Sequence, residues 1–351
     1  MEVLESLVIG AGQAGLSTSF HLSRLGIDHV VLDADDQPGG AWQHRWDSLS
    51  MADVHGIADL PGAPVPPADE HERANVFVPR YFATYEREHD LPVIRPVSAD
   101  RVTGVRDLLR VEAGDRSWLT RTLVNATGTW SHPFVPHYPG IETFAGTQLH
   151  TVDYPGREAF AGQRVLVVGG GASAVQFLGE IAPIADTVWV TRREPVWRTD
   201  DFTPEVGRAV VAKVEERVRR GLPPRSVVSV TGLGLRPQEM EAARLGAYER
   251  RPMFERIEPD GVRWADGTFE RVDVILWATG FRHAIEHLAP LHLRSSLGGI
   301  QLDGTTAVAD PRVQLVGYGP SASTIGANRA GRAAAVAVRR YLAEEAQPVS
   351  A

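Results

Sequence analysis

Two short glycine-rich segments hold the residue types that could do chemistry in this chain: Gly10-Ala11-Gly12-Gln13-Ala14-Gly15 and Gly169-Gly170-Gly171-Ala172-Ser173-Ala174. Each follows a short apolar run, Leu4 to Ile9 and Val165 to Val168, and opens a segment with helical patterning. Strand, tight turn and helix in that order are the context in which such glycines bind a dinucleotide. They let the main chain approach a pyrophosphate, whose charge then sits at the positive end of the new helix. The two segments differ 23 residues on, where Gly10 leads to Asp33 and Gly169 leads to Arg192. A carboxylate at the end of the second strand suits a free ribose diol; an arginine there suits a ribose carrying a 2′-phosphate. The spacing predicts FAD at the first turn, through Gly10, Gly12, Gln13, Ala14, Gly15 and Asp33. It predicts NADPH at the second, through Gly169, Gly171, Ala172, Ser173, Ala174, Gln176, Arg192 and Arg193. Adjacent arginines at a strand end are often only solvated, so NADH is the alternative there. One glycine turn can be plain close packing, whereas two in matched register point to two nucleotides.

The elements that must position these residues follow from hydrophobic periodicity. A first βαβ start runs from Leu4 to Ile9, Gln13 to Leu25 and His29 to Asp33, and a second begins near Arg164 and includes Thr187 to Val190. Pro61 to Glu72 reads as an exposed loop, with a helix following over Pro79 to His89. Short apolar runs between Arg101 and Val124 predict a small antiparallel sheet ending at Ala126-Thr127-Gly128. Thr203-Pro204 opens a helix with Val206, Val210, Val214 and Val218 on one face and Gly221 at its end. A turn at Asp266-Gly267 leads into a strand ending at Val274 to Trp277, before a second Ala278-Thr279-Gly280. Val313 to Val316 and an alanine-rich segment to Leu342 make a last strand and helix.

The expected fold class is α/β, with two Rossmann-like dinucleotide-binding domains, one inserted into the other, and small antiparallel sheets. Residues 1–150 and 279–351 would form the FAD domain and residues 151–278 the NADPH domain, with catalysis in the cleft between them.

At 351 residues the chain is long enough for two cores, and 43% hydrophobic with 23% charged residues is ordinary for a globular protein. A net charge of −8 offers no basic footprint for nucleic acid. No apolar run approaches the roughly 20 residues of a membrane span, so the expectation is a cytoplasmic protein without a membrane partner. There is no cysteine, which closes electron transfer through a thiol pair and excludes a cysteine-ligated iron–sulfur cluster. The 12 histidines show no paired metal-ligand spacing, so no metal is expected. A homodimer is the expectation from base rates alone.

The chain resembles the flavin-containing monooxygenase family, among the class B flavoprotein monooxygenases. Phe144-x-Gly146-x-x-x-His150-x-x-x-Tyr154 matches the family's identifying sequence between its two nucleotide turns, and the closing tyrosine is more like the N- and S-oxygenating branch than the Baeyer–Villiger branch. Ala278-Thr279-Gly280-Phe281 also fits, as do Gly39-Gly40-Ala41-Trp42 and Arg45-Trp46-Asp47-Ser48-Leu49. The resemblance implies that this last stretch lies against the flavin, with Gly40, Ala41, Trp42 and Arg45 as contacts. It also adds Ala126, Thr127, Gly128, Ala278, Thr279, Gly280, Gly319 and Thr324 to the cofactor-binding set. The chain departs from the family at Ser50 to His55, where many members place an asparagine near the flavin's reactive edge, and at Gly319-Pro320, which lacks an acid.

The activity so implied is oxygenation of a small soft nucleophile, a sulfide or amine, by dioxygen through a C4a-hydroperoxyflavin at the expense of NADPH. The cofactors would carry the difficult chemistry; Asp53, His55 and His150 are the candidate catalytic residues. The alternatives are an NADPH oxidase or flavin reductase serving oxygen, a quinone or a protein acceptor, a Baeyer–Villiger monooxygenase, and a flavoprotein redox sensor.

Overall fold

The computed structural model describes residues 2–54, 57–197, 204–224, 232–235 and 239–346, with the side chains of 204–211 and 324–325 outside that description. The strands are β1 (Val3–Ile9), β2 (His29–Leu32), β3 (Val93–Ile94), β4 (Arg101–Val105), β5 (Leu108–Ala113) and β6 (Arg116–Asn125). They continue with β7 (Thr147–His150), β8 (Arg164–Val168), β9 (Asp186–Thr191), β10 (Arg250–Pro252), β11 (Arg256–Glu258), β12 (Gly261–Arg263) and β13 (Phe269–Arg271). The last are β14 (Val274–Trp277), β15 (Leu302–Asp303), β16 (Thr306–Ala307) and β17 (Val313–Leu315). The helices are α1 (Gln13–Arg24), α2 (Ala74–Glu88), α3 (Ala172–Ile181), α4 (Pro204–Arg219), α5 (Glu239–Arg244) and α6 (Thr324–Glu345).

Two compact units emerge, and the second interrupts the first. The first comprises residues 1–128, 208–227 and 283–351, the second residues 129–207 and 228–282. The crossings therefore differ from the expected 150/151 and 278/279. β7 and β14 both belong to the sheet of the second unit, where they pair in parallel from Thr147↔Val274 to His150↔Trp277.

In the first unit the strand order is β15-β16-β17-β6-β1-β2-β3. β1 lies parallel to both β2 and β6, so the first glycine turn leaves the sheet between two parallel neighbours. β6 is ten residues long and extends beyond the parallel sheet to pair antiparallel with β5, which pairs with β4. The expected small antiparallel sheet is thus continuous with the parallel one, through a single strand long enough to serve both.

The helix predicted from Pro79 begins instead at Ala74. Ala74, Phe77, Val78, Tyr81, Phe82 and Tyr85 form one buried face, and that burial carries the helix back across the proline. The hydroxyls of Tyr81 and Tyr85 anchor the proline-rich loop: Tyr81 donates to the Ala63 carbonyl at 2.6 Å and Tyr85 to that of Pro61 at 2.9 Å. Gly331 of α6 packs on α1, where the Ser17 hydroxyl donates to the Asn328 carbonyl at 3.1 Å.

In the second unit the order β10-β9-β8-β14-β7 is wholly parallel, with β11-β12-β13 as a separate antiparallel sheet. At the centre of the parallel sheet β14 is wholly apolar and buried, and β8 is so after its opening Arg164, as strands covered on both faces require. The Asp266-Gly267 turn joins β12 to β13, while Val274 to Trp277 is a different strand in the parallel sheet. On α4, Val214 and Val218 are buried as the spacing predicts; the side chains of Val206 and Val210 lie outside the described residues.

A Cβ at Gly331 would stand 2.6 Å from Ser17 Oγ and 2.8 Å from the Thr18 amide. Gly331→Val should destabilise the first unit by about 1–3 kcal/mol through overpacking, seen as a lower urea midpoint with an unchanged slope.

Candidate functional site

Both glycine turns are built on one plan. Gly10 has φ +99° and Gly169 φ +145°, and each presses on the carbonyl of the alanine in an Ala-Thr-Gly segment. A Cβ at Gly10 would lie 2.6 Å from the Ala126 oxygen, and one at Gly169 would lie 2.1 Å from that of Ala278. These first glycines are therefore demanded by the protein's own packing. Gly15 is required in the same way, since a Cβ there would meet the Gly10 carbonyl. Ala174, at the matching place in the second turn, is buried.

The middle glycines are different. Gly12 and Gly171 have extended backbones, and a Cβ on either would meet nothing within 4 Å. Each is the N-cap of its helix, without a side-chain cap bond and with no acid in the first turn. An N-terminus left open in this way presents free amide groups and the positive end of the helix dipole to the space in front of it. That space and those donors fit a pyrophosphate at each turn. Gln13 and Ala14 are buried in the opening turn of α1; Ala172 and Ser173 lie on that of α3, and Gln176 on its second turn.

The threonines of the two Ala-Thr-Gly segments are occupied otherwise. Thr127 donates its hydroxyl to the Ala284 carbonyl at 2.5 Å, and the Ala284 amide donates back to Gly128 at 3.0 Å. Thr279 donates to the Phe134 carbonyl, and the Phe134 amide donates back to Gly280 at 2.9 Å. Each pair ties its turn to a neighbouring segment of the same unit.

Around the first turn, Gly40 stacks on Gly12, where a Cβ would come 2.8 Å from the Gly12 Cα. This contact sets the short Gly40–Trp42 helix beside the turn and places Arg45 over the Trp42 ring at 5.6 Å. Burial lowers the Arg45 pKa to about 10; Ala41 is exposed. Gly319, at φ +62°, leads from β17 into α6, which Thr324 opens behind its N-cap, Ser323.

Asp33 follows β2 directly and is 6% exposed. Its Oδ2 accepts from Arg95 Nε at 2.9 Å, and the same guanidinium donates to both oxygens of Glu86 at 2.7 Å. Burial raises the Asp33 pKa, and Arg95 opposes that rise. Arg95 and Glu86 come from elements remote in sequence, and no spacing rule announces them.

Arg192 and Arg193 follow β9, are exposed, and form no ion pair among the described residues. Tyr154 is buried between Phe177 and Phe160, with ring centroids 4.2 and 5.5 Å away, and donates to Glu180 at 2.9 Å.

Of the three catalytic candidates, His150 is 4% exposed, with Nε2 3.0 Å from the Gly280 carbonyl and Nδ1 accepting from the Val152 amide at 3.4 Å. Proton transfer through this ring would have to break one of those main-chain bonds. Asp53 caps a short helical turn, accepting from the Ser50 hydroxyl at 2.6 Å. His55 lies outside the described residues. A group the spacing did not reveal is His283, whose pKa burial pushes down to about 4 beside Tyr318, at 4.6 Å between centroids. Among the described residues no group of three or more potential ligands could hold a metal, and no helix is long and apolar enough to cross a membrane.

Two sheets, one mixed and one wholly parallel, each with an uncapped glycine turn leaving a strand between parallel neighbours, define a two-dinucleotide oxidoreductase. Residues 7–231 match the pyridine nucleotide-disulphide oxidoreductase family. A flavin-containing monooxygenase from Stenotrophomonas maltophilia is 38% identical, with a TM-score of 0.84 over 97% of this chain and 100% of that one. Indole-3-pyruvate monooxygenase YUCCA1 of Oryza sativa subsp. japonica is 27% identical over 323 residues, 79% of this chain and 76% of that protein. A Baeyer-Villiger monooxygenase of Streptomyces coelicolor is 33% identical over 226 residues, 62% of this chain and 42% of that protein. The chain belongs to the flavin-dependent monooxygenases of this oxidoreductase family.

Arg95→Met would leave Asp33 buried without its cation and should destabilise the first unit by about 3–5 kcal/mol at neutral pH. Unpaired, Asp33 folds more readily when protonated, so its folded pKa rises further above the unfolded value. Stability should then fall as pH rises above the ordinary carboxylate range. Urea midpoints of the variant at pH 5 and pH 8 check this, with the larger deficit expected at pH 8.

Proposed function

We propose that the first glycine turn holds FAD, that the second holds NADPH, and that the chain oxygenates a small soft nucleophile, a sulfide or an amine. Bound FAD, reduced by NADPH, supplies the activation of dioxygen, with one oxygen atom entering the substrate and the other leaving as water. The observation that carries this reading is full-length similarity to a flavin-containing monooxygenase in a chain without cysteine. The family's disulfide route has no thiols to use here.

The chain's own residues bind and orient. Gly12 gives the FAD pyrophosphate its approach, and the open N-terminus of α1 faces its charge. Asp33, paired with Arg95, accepts from the adenosine ribose hydroxyls. Trp42 and Arg45, set beside the first turn by the Gly40–Gly12 contact, would hold the flavin and shield it from water. At the second turn Gly171 and the N-terminus of α3 take the NADPH pyrophosphate, and Arg192 with Arg193 takes the 2′-phosphate. His150 holds its turn in shape through the Gly280 carbonyl and moves no proton.

One observation favours a second reading, an NADPH oxidase or reductase. The asparagine usual near the flavin's reactive edge is missing, and the Asp53 carboxylate is already engaged by Ser50. A rapid-mixing experiment separates the two: the FAD-loaded protein is reduced anaerobically with one equivalent of NADPH and mixed with oxygenated buffer and an aryl methyl sulfide. Oxygenation predicts a distinct absorbing species before oxidised flavin returns, and about one sulfoxide per NADPH. Direct return to oxidised flavin with stoichiometric hydrogen peroxide would establish the oxidase reading. An ester formed from a ketone substrate would promote Baeyer–Villiger chemistry instead.

A further inference from the structure

The end of β9 carries a third arginine that no local motif announces. Arg250 opens β10, which lies parallel to β9 with Arg250 opposite Trp189. Its Nε donates to Thr191 Oγ1 at 3.0 Å, and the Thr191 hydroxyl donates to the Arg193 carbonyl at 2.6 Å. Thr191 is 1% exposed, so it is a rigid peg that links the Arg250 fork to the main chain of the Arg192-Arg193 pair. The remaining reach of Arg250 goes to Glu194, with Nη1 3.0 Å from Oε2. The two partners are unlike: the Arg250 side chain is 20% exposed and that of Glu194 is 77% exposed. Three arginines are therefore brought to one strand end, Arg192 and Arg193 by sequence and Arg250 through Thr191, and the only carboxylate paired with them among the described residues is the solvated one of Glu194.

We propose that Arg250 completes the recognition of the 2′-phosphate, and that Glu194 occupies its guanidinium when no phosphate is bound. The inference rests on the reading of the second turn as the NADPH site. An arginine fork matches a phosphate dianion in geometry and charge. An exposed ion pair such as Arg250–Glu194 contributes little and is readily exchanged for a better anion. Thr191 keeps the fork aimed at the ribose end of the site, which limits the entropy lost when the phosphate arrives. Glu194 works against the phosphate by like charge, so this pair sets how strongly NADPH is preferred over NADH.

The test is calorimetric titration of the FAD-loaded protein with adenosine 2′,5′-bisphosphate and, separately, with adenosine 5′-monophosphate. The wild type should prefer the bisphosphate. Arg250→Gln should weaken the bisphosphate about tenfold or more and leave the monophosphate unchanged, and Arg250→Lys should fall between. Glu194→Gln should tighten the bisphosphate about two- to threefold by removing a like charge. In steady-state assays the KM for NADPH should move with these values while that for NADH stays put. Equal weakening of both ligands in Arg250→Gln would make Arg250 a structural tie and overturn the proposal. A wild type that binds both ligands alike would overturn the second-turn reading, and this inference with it.

Discussion

The structure depends on a main-chain contact made twice. A strand enters a glycine whose φ is positive, and that glycine lies directly on the carbonyl of an alanine from a neighbouring strand's end, Ala126 for Gly10 and Ala278 for Gly169. No side chain fits between them. Because the first glycine is pressed against the sheet, the next two residues must turn outward, and the helix starts with its amides facing open space. The close packing of one glycine is thus followed by the open approach to another, Gly12 or Gly171, where a Cβ would meet no protein atom within 4 Å. This geometry offers an anion its donors without any charged residue in the turn itself.

The Ala-Thr-Gly segments belong to the same device. Their alanines receive the first glycines, their threonines fasten the turn to a neighbouring segment, and their glycines, at φ +65° and +80°, redirect the chain away from the sheet. His150 and Tyr154 extend this support in the second unit, one through the Gly280 carbonyl and the other by stacking among phenylalanines. The part of the sequence most typical of the family is therefore engaged in holding shape. The two units differ at the strand ends, where a buried carboxylate with its own arginine stands in one and exposed arginines in the other; under the proposed function, that difference selects between the nucleotides.

Much of this was legible in the sequence because it is local. Strand, glycine turn and helix lie within about thirty residues, and the contrast between Asp33 and Arg192 is visible at equal spacing. The doubled Ala-Thr-Gly was visible as a repeat, although the sequence could not show that its threonine hydroxyls go to main-chain carbonyls. Asp53, offered by the sequence as a catalytic candidate, instead closes a capping box with Ser50 three residues before it. Illegible were the partners that only the sheets bring together. Arg95 and Glu86 reach Asp33 from β3's end and from α2, and Arg250 arrives beside Thr191 through the pairing of β10 with β9. The boundaries of the units were also hidden, because β7 pairs with β14 across more than a hundred residues of intervening chain.

The most direct test of the account substitutes the two middle glycines, where an added Cβ meets no protein atom within 4 Å. Gly12→Val and Gly171→Val are purified, their flavin content is read from absorbance, and each is mixed anaerobically with NADPH. The account predicts that Gly12→Val folds but carries no FAD, while Gly171→Val retains FAD that NADPH no longer reduces at the wild-type rate. Loss of flavin from Gly171→Val with retention in Gly12→Val would reverse the assignment of the two turns. Wild-type flavin content and reduction in both variants would show that neither turn holds a dinucleotide.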